Sequence, residues 1–285
     1  MYSSFEYFKP KTMSEVVSLI KMLEGEADFL AGGTDLLLSI KRGEKKPSAL
    51  VDISGLSELH NLYIKDGKLH IGSMTTFATL AISPVVEKYA IALKMAALEM
   101  GSPQIRNMAT IGGNIATASP AGDSLPALIA HNAFVVLAEN AVEYELPIEE
   151  YLKTRKKWQS KKSIITGVVI SCDNHITRGA FVKLGRRNSL SIARISAACI
   201  LKRDESGKAQ AFNLVLGAVG EIPIRVTETD IIIASKTPKF DTFLKVADAA
   251  AEAVRRSIPG RASLPYKEKA VIGVVLEALD KVFYG

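Results

Sequence analysis

An α+β chain in two parts is what the sequence predicts, on three observations. Short apolar strands and segments of helical spacing alternate irregularly over residues 1–171. The pattern breaks at 171–177, SCDNHIT. Beyond it, strand-like runs joined by turn residues are followed by two helical segments, which reads as a sheet covered by helices. No internal repeat stands out.

The elements follow in order. MSEVVSLIKMLE, 13–24, has apolar residues at helical spacing, with Ser14 as the expected cap and Gly25 as the stop. A strand at 27–31 runs into Gly32-Gly33-Thr34-Asp35, and a second apolar stretch, LLLSIKRG, follows. PSALVDI within 47–60 is strand-like, and 61–72 reads as a hairpin turning at Lys65–Lys68. Thr76 or Ser83-Pro84 can open helices, and 85–100 is almost continuously helix-compatible. A Gly-rich segment covers 101–124, a strand 133–138, a short strand and helix 144–155, and a strand 163–171. In the second part, strands at 180–184 and 195–202 flank GRRNSLSIAR. The turn Asp204–Lys208 leads to a strand at 210–218, most simply as a meander. Helices at 240–257 and 266–283, separated by Arg261–Pro265, close the chain.

Composition sets the class. The 285 residues carry 36 Lys and Arg against 30 Asp and Glu, a net charge of +6, with 48% hydrophobic and 23% charged residues. That is a soluble, globular composition, too apolar for a disordered chain. Cys172 and Cys199 alone cannot build a disulfide scaffold or hold an iron–sulfur cluster by thiolates. Both are expected to be buried reduced thiols, which points to the cytoplasm. MYSSFEYFKP is not a signal peptide, nothing supports a lipidated N-terminus, and no run of 18 apolar residues predicts a transmembrane helix. The densest basic run, RKKWQSKK at 155–162, reads first as a solvated loop. Partner docking and nucleic acid are the alternatives, and no nucleic-acid-binding motif accompanies the run. An anionic cofactor would also justify part of the positive field. His60, His70, His131 and His175 have no metal-ligand spacing, so no metal site is expected. His70 and His131 are expected to be structural.

Two glycine loops carry the functional signal. In FLAGGTDLLLSIKRG, 29–43, a strand delivers the chain into two glycines, a hydroxyl and a carboxylate. Glycines allow unusual dihedrals, and successive inward N–H groups form a nest for a phosphate oxygen. Asp35 is expected to accept from backbone amides and hold the loop. Taken alone, the loop reads first as a ligand-free strand-to-helix turn, and it matches neither the dinucleotide fingerprint nor the P-loop. The second loop, QIRNMATIGGNIATASPAGDSLPAL at 104–128, is more telling. Residues 110–122 lack large side chains other than Ile and so let backbone pass close to something flat and bulky. Gly112 and Gly113 are expected to expose amides. Thr110, Asn114 and Thr117 offer hydrogen bonds, and Asp123 offers an acceptor suited to ribose or ribityl hydroxyls. Two such loops point to an extended ligand with a pyrophosphate. Arg106 either assists or pairs with a surface acid. A third segment, FVKLGRRNSLSIAR at 181–194, places Lys183, Arg186, Arg187 and Arg194 on a strand, turn and return. Basic residues there also protect a sheet edge. Arg186 and Arg187 are expected to bind acids within the protein or at an interface.

AGGTDLL at 31–37, TIGGNIATASPAGDSLPAL at 110–128 and FVKLGRRNSLSIA at 181–193 together resemble the FAD-binding medium subunit of molybdenum hydroxylases. That family includes the flavin subunits of xanthine dehydrogenase, aerobic carbon monoxide dehydrogenase and nicotinate or aldehyde hydroxylases. VDISGLSEL at 51–59 and LHIGSMTTFATL at 69–80 also fit, so the resemblance spans almost the whole chain.

The resemblance implies an FAD-binding domain over 1–173, of the vanillyl-alcohol-oxidase-like type, with subdomains at about 1–60 and 61–173. A C-terminal domain of the CO-dehydrogenase flavoprotein type follows at 174–285. It implies that Leu30, Ala31, Gly32, Gly33, Thr34, Asp35, Leu36 and Leu37 cradle the pyrophosphate and adjoining parts of FAD. Thr110, Ile111, Gly112, Gly113 and Asn114 form a second wall, and Asp123 holds polar hydroxyls. Ile165 contacts the cofactor from a strand. Lys183 lies near the isoalloxazine edge, where its charge would favour an anionic reduced flavin. Met100 stands where some relatives place an aromatic residue, and a thioether also packs on a ring. No side chain is implied as a general acid or base. The implied partners are a large molybdenum-cofactor subunit and a small [2Fe–2S] subunit, as a dimer of heterotrimers. Electrons pass through FAD to NAD, a quinone or oxygen. A stand-alone FAD-dependent oxidase and a non-catalytic docking subunit are the rival readings. The substrate, whether purine, nicotinate, aldehyde, aromatic acyl-CoA or carbon monoxide, belongs to the large subunit.

Overall fold

The computed structural model describes residues 5–23, 26–139, 142–172, 176–186, 191–204, 208–233 and 240–285. Gly25, the 173–175 break with His175, Arg187, and the 205–207 turn lie outside the described residues. The chain opens with β1 (Glu6–Phe8), α1 (Met13–Met22), β2 (Ala27–Leu30), α2 (Leu36–Lys41), β3 (Ala49–Asp52), β4 (Leu62–Lys65) and β5 (Lys68–Gly72). Helices α3 (Phe77–Ile82), α4 (Pro84–Tyr89), α5 (Ile91–Glu99), α6 (Pro103–Met108), α7 (Ile111–Thr117) and α8 (Ser124–Ala130) follow. Next come β6 (Phe134–Glu139), β7 (Val142–Pro147), α9 (Ile148–Ser160), β8 (Ile164–Ser171), β9 (Ile176–Leu184), β10 (Ile195–Arg203), β11 (Ala209–Gly217) and β12 (Ile224–Arg225). The chain closes with α10 (Glu228–Ile233), α11 (Phe240–Ser257) and α12 (Leu264–Tyr284). No helix among the described residues is long and apolar enough to cross a membrane.

The chain divides into two compact units. The first comprises Met1–Thr79, Pro103–Thr117 and Phe134–Val169; the second comprises Leu80–Ser102, Ala118–Ala133 and Ile170–Gly285.

The first unit holds a parallel sheet ordered β1-β3-β2 and a five-stranded sheet ordered β4-β5-β8-β6-β7. Burial of Val16, Ala27, Ala49, Val51 and Leu56 fastens α1 to the parallel sheet. Thr12 rather than Ser14 caps α1, accepting from the Glu15 N–H at 3.2 Å. The β4–β5 hairpin turns through Asp66 (φ 50°) and Gly67 (φ 69°), the pair of positive angles that a type I′ turn requires. In α9 the run 155–162 is not a solvated loop. Ile148, Tyr151, Leu152 and Trp158 fall on one helical face and are buried. The Trp158 ring packs 5.6 Å from Tyr144, while Lys157 and Lys161 lie over it at 5.1 and 5.8 Å. It is the two ammonium groups that face the ring, and Lys161 Nζ also pairs with Glu139 at 3.1 Å.

The second unit is built on an antiparallel meander ordered β12-β11-β10-β9. Alternate residues of β10 serve opposite faces. Ile195, Ala197, Cys199 and Leu201 meet Val246, Ala250, Val275 and Ala278 of α11 and α12 in one core. The Cys199 thiol is fully buried and donates to the Ala278 carbonyl at 3.6 Å, and burial pushes its pKa up to about 12. On the opposite face Gly179 and Gly217 admit Ile91 and Pro126, so α5 and α8 approach closely. The almost continuously helix-compatible stretch 85–100 is interrupted at Ala90 (φ −141°, ψ 47°), between α4 and α5. The Ala92 N–H there donates to His131 Nε2 at 3.3 Å, a structural task for that histidine. Ser83 caps α4, with Pro84 in its first turn.

Candidate cofactor site

In the first unit, β2 leads into the turn 31–35 and then α2. An ideal Cβ on Gly32 would stand 1.8 Å from the Met108 carbonyl oxygen, so only glycine lets this turn lie against the end of α6. Gly33 has φ +71°, the left-handed conformation that reverses the amide direction. The N–H groups of Gly32, Gly33, Thr34 and Asp35 donate to no acceptor among the described residues. Four consecutive unpaired amides at a left-handed turn make a nest for an anion. The Asp35 carboxylate accepts no backbone amide among the described residues, while its carbonyl takes the Ser39 N–H at 3.0 Å as α2 begins. Its Oδ2 receives a weak bond from Thr117 Oγ1 at 3.5 Å.

The second loop meets the first directly. A Cβ on Gly113 would touch Ala31 Cβ at 3.9 Å. Its chemistry differs from the sequence expectation, because its amides are spent inside the protein. Ile111 N donates to Thr75 O at 3.0 Å, Gly112 N to Ser73 O at 2.9 Å and Asn114 N to Thr110 O at 3.0 Å. Gly113 N donates to Thr110 Oγ1 at 3.2 Å. What comes close to Gly112 is the Ser73 backbone, since a Cβ there would lie 2.9 Å from Ser73 O. Residues 111–117 form α7, with Ile111 and Ile115 in the core, so the segment does build protein interior. Gly113 and Asn114 are half-buried, and Ala116 and Thr117 at its end are exposed. Ile165, on β8, is 7% exposed.

In the second unit, Asp123 precedes α8 and Lys183 lies on β9. Lys183 Nζ donates to Asp123 Oδ2 at 2.6 Å and to the Glu99 carbonyl at 2.9 Å. Both side chains are 6% exposed. Asp123 Oδ1 is buried without a partner. Burial pushes the Asp123 carboxyl up to about 6, against the Lys183 ammonium, which favours the charged form; the Glu99 carboxylate adds to the rise. A buried carboxylate oxygen with no donor is an open acceptor for a ligand hydroxyl. Met100, at the end of α5, is half-buried. The carbonyls of Glu99 and Met108 escaped sequence reasoning because a backbone acceptor leaves no residue-type signal.

The geometry defines a class first: an α+β protein with an amide nest after a parallel strand, suited to a nucleotide diphosphate. The model of the FAD binding domain in molybdopterin dehydrogenase matches residues 3–170, and that of the CO dehydrogenase flavoprotein C-terminal domain matches 180–282. The chain belongs to the FAD-binding medium subunits of the molybdenum-hydroxylase and CO-dehydrogenase flavoprotein family. It is 30% identical to the nicotinate dehydrogenase FAD-subunit of Eubacterium barkeri, covering 95% of this chain and 93% of that protein. It is 38% identical to the carbon monoxide dehydrogenase medium chain of Hydrogenophaga pseudoflava over 47% of this chain and 46% of that one. The solved carbon monoxide dehydrogenase from Hydrogenophaga pseudoflava superposes with a TM-score of 0.89 at 26% identity, covering 99% and 98% of the two chains. The fold is thus an N-terminal FAD-binding part of the vanillyl-alcohol-oxidase-like type and a C-terminal part of the CO-dehydrogenase flavoprotein type. Family membership makes the chain an FAD-type oxidoreductase subunit of an electron-transferring complex.

Proposed function

We propose that this chain binds FAD and passes electrons from the [2Fe–2S] clusters of a small partner subunit to an external acceptor. A large molybdenum-cofactor subunit oxidises the substrate, and the whole is a cytoplasmic dimer of heterotrimers. FAD carries the redox chemistry when bound. The observation that carries this reading is the run of unpaired amides at Gly32–Asp35, which suits the two negative groups of a pyrophosphate. Leu30, Ala31, Leu36 and Leu37 flank that nest. Thr110, Ile111, Gly112, Gly113 and Asn114 act as its supporting wall, through side chains and close packing rather than amides. Asp123 Oδ1 offers an acceptor to a cofactor hydroxyl. Lys183 holds Asp123 in place and compensates its charge. Met100 and Ile165 contribute apolar contact. No residue of the chain serves as a general acid or base.

Purification of the native complex with cofactor and metal analysis tests this reading. FAD, molybdenum and about four irons per protomer are expected, two for each [2Fe–2S] cluster. A yellow chain without an iron–sulfur partner means a stand-alone oxidase. A folded chain that takes up no FAD on titration overturns the assignment.

A further inference from the structure

The basic run around Trp158 ends up on the outer surface of α9. Every exposed residue of that helix is polar: Glu150, Lys153, Lys156, Lys157, Gln159 and Ser160. Spacings of three and four residues set Lys153, Lys156 and Lys157 on one outward face, opposite the buried Ile148, Tyr151, Leu152 and Trp158. None of the three lysines is in an ion pair among the described residues. Acids nearby are engaged with other cations, Glu139 with Lys161 and Glu145 with Lys68. Lys157 Nζ faces the Trp158 ring at 5.1 Å. The face therefore carries three charges that no carboxylate of the first unit compensates.

The face lies beside the amide nest. Gln159 Nε2, in the last turn of α9, donates to the Ala116 carbonyl at 3.1 Å, and Thr117 Oγ1 donates to Asp35 Oδ2 at 3.5 Å. Lys153 stands six residues before Gln159, so all three lysines lie within about 9 Å of that bond along the helix axis. Exposed lysines gain little from one small ion. Their charges add up against an extended surface of opposite sign and speed its approach. A permanent subunit contact is richer in apolar groups, whereas redox encounters are small and weak. A nucleic acid needs rings to stack on, and Trp158, at 7% exposure, offers none. Charge without apolar surface, next to the cofactor site, fits an acidic protein that docks and leaves.

We propose that Lys153, Lys156 and Lys157 of α9 form a transient docking surface for an acidic one-electron carrier protein that serves as the external acceptor. This rests on the electron-transfer reading above and narrows its acceptor. The face supplies docking only. Substrate oxidation elsewhere in the complex releases two electrons and two protons. Two carrier molecules, docking in turn, take one electron each, and the protons pass to solvent.

The test needs no substrate. The purified complex, reduced with dithionite and freed of excess reductant, is mixed by stopped flow with an acidic blue-copper protein, whose colour is lost on taking one electron. A basic cytochrome c serves as the control carrier. The second-order rate constant for the acidic carrier should fall steeply as salt rises. Lys153→Glu with Lys156→Glu should lower it about tenfold or more at low salt, and Lys153→Gln with Lys156→Gln by a smaller factor. Reduction of the basic carrier should be no slower in either variant, and reoxidation by dioxygen should not change. An unaltered rate with the acidic carrier, or equal slowing of both carriers, overturns the proposal. So does loss of iron and molybdenum from the purified variants, which would make the face a permanent subunit contact. Salt-dependent binding of single-stranded RNA that the variants abolish, with carrier rates unaltered, overturns it in favour of a nucleic acid. Absence of flavin from the unmutated complex counts against the FAD reading instead.

Discussion

At the residue scale, Gly32 and Asp123 are the positions where small changes have calculable effects. A methyl on Gly32 collides with backbone, the Met108 carbonyl at 1.8 Å, and backbone cannot swing aside as a side-chain end can. Gly32→Ala should therefore cost about 1–3 kcal/mol of stability and abolish FAD retention. Urea unfolding and flavin absorbance after gel filtration check both effects, and an FAD-replete Gly32→Ala protein would refute the close approach. Asp123 makes a pH prediction. Its folded-state pKa is about 6, above the ordinary 3.8, so the folded protein binds the proton more tightly than the unfolded chain. The stabilisation from that proton is full below the unfolded value and is lost as pH rises through about 6. Relative to Asp123→Asn, the unmutated protein should gain about 1 kcal/mol between about pH 7 and about pH 5. Parallel stability–pH curves for the two would show that the carboxyl titrates normally.

At the scale of elements, the helical period and the strand alternation made much of the fold legible. The helix over 240–257 and the meander of β9, β10 and β11 stand where apolar spacing places them, because each presents a continuous face to one core. Misreadings arose where tertiary contacts overrode local composition. Lys and Arg around Trp158 suggested a loop, yet the ring and Tyr151 lie seven residues apart on one helical face. The glycines of α7 suggested open amides, whereas the Ser73 carbonyl takes the Gly112 N–H and Thr110 Oγ1 takes the Gly113 N–H. The nest at Gly32–Asp35 was readable as a glycine pair after a strand; that its amides stay unpaired was not, since pairing depends on distant acceptors. Trp158→Ala should cost about 3–5 kcal/mol by removing the buried ring that packs against Tyr144 and faces two lysine ammonium groups. Thermal unfolding measures this, and a loss below about 1 kcal/mol would return the run to the status of a solvated segment.

At the scale of the whole molecule, separate cores and a single tryptophan give a way to ask which unit the cofactor stabilises. One hydrophobic core gathers around α1 and the parallel sheet, the other around α11, α12 and the meander. Trp158 is the only tryptophan in the chain and belongs to the first unit, so its fluorescence reports that unit. Far-UV circular dichroism is weighted toward α11 and α12, the longest helices, in the second unit. A ligand stabilises whatever must stay folded to bind it, by about 2.7 kcal/mol at a hundredfold excess over its dissociation constant. With the nest in the first unit as the main anchor, stripping FAD should lower the fluorescence midpoint more than the dichroism midpoint. Restoring FAD should bring the two back together. Equal shifts by both probes would mean that contacts at Asp123 and Lys183 in the second unit anchor the cofactor as strongly as the nest. No shift in either would leave the four unpaired amides without the ligand that accounts for them.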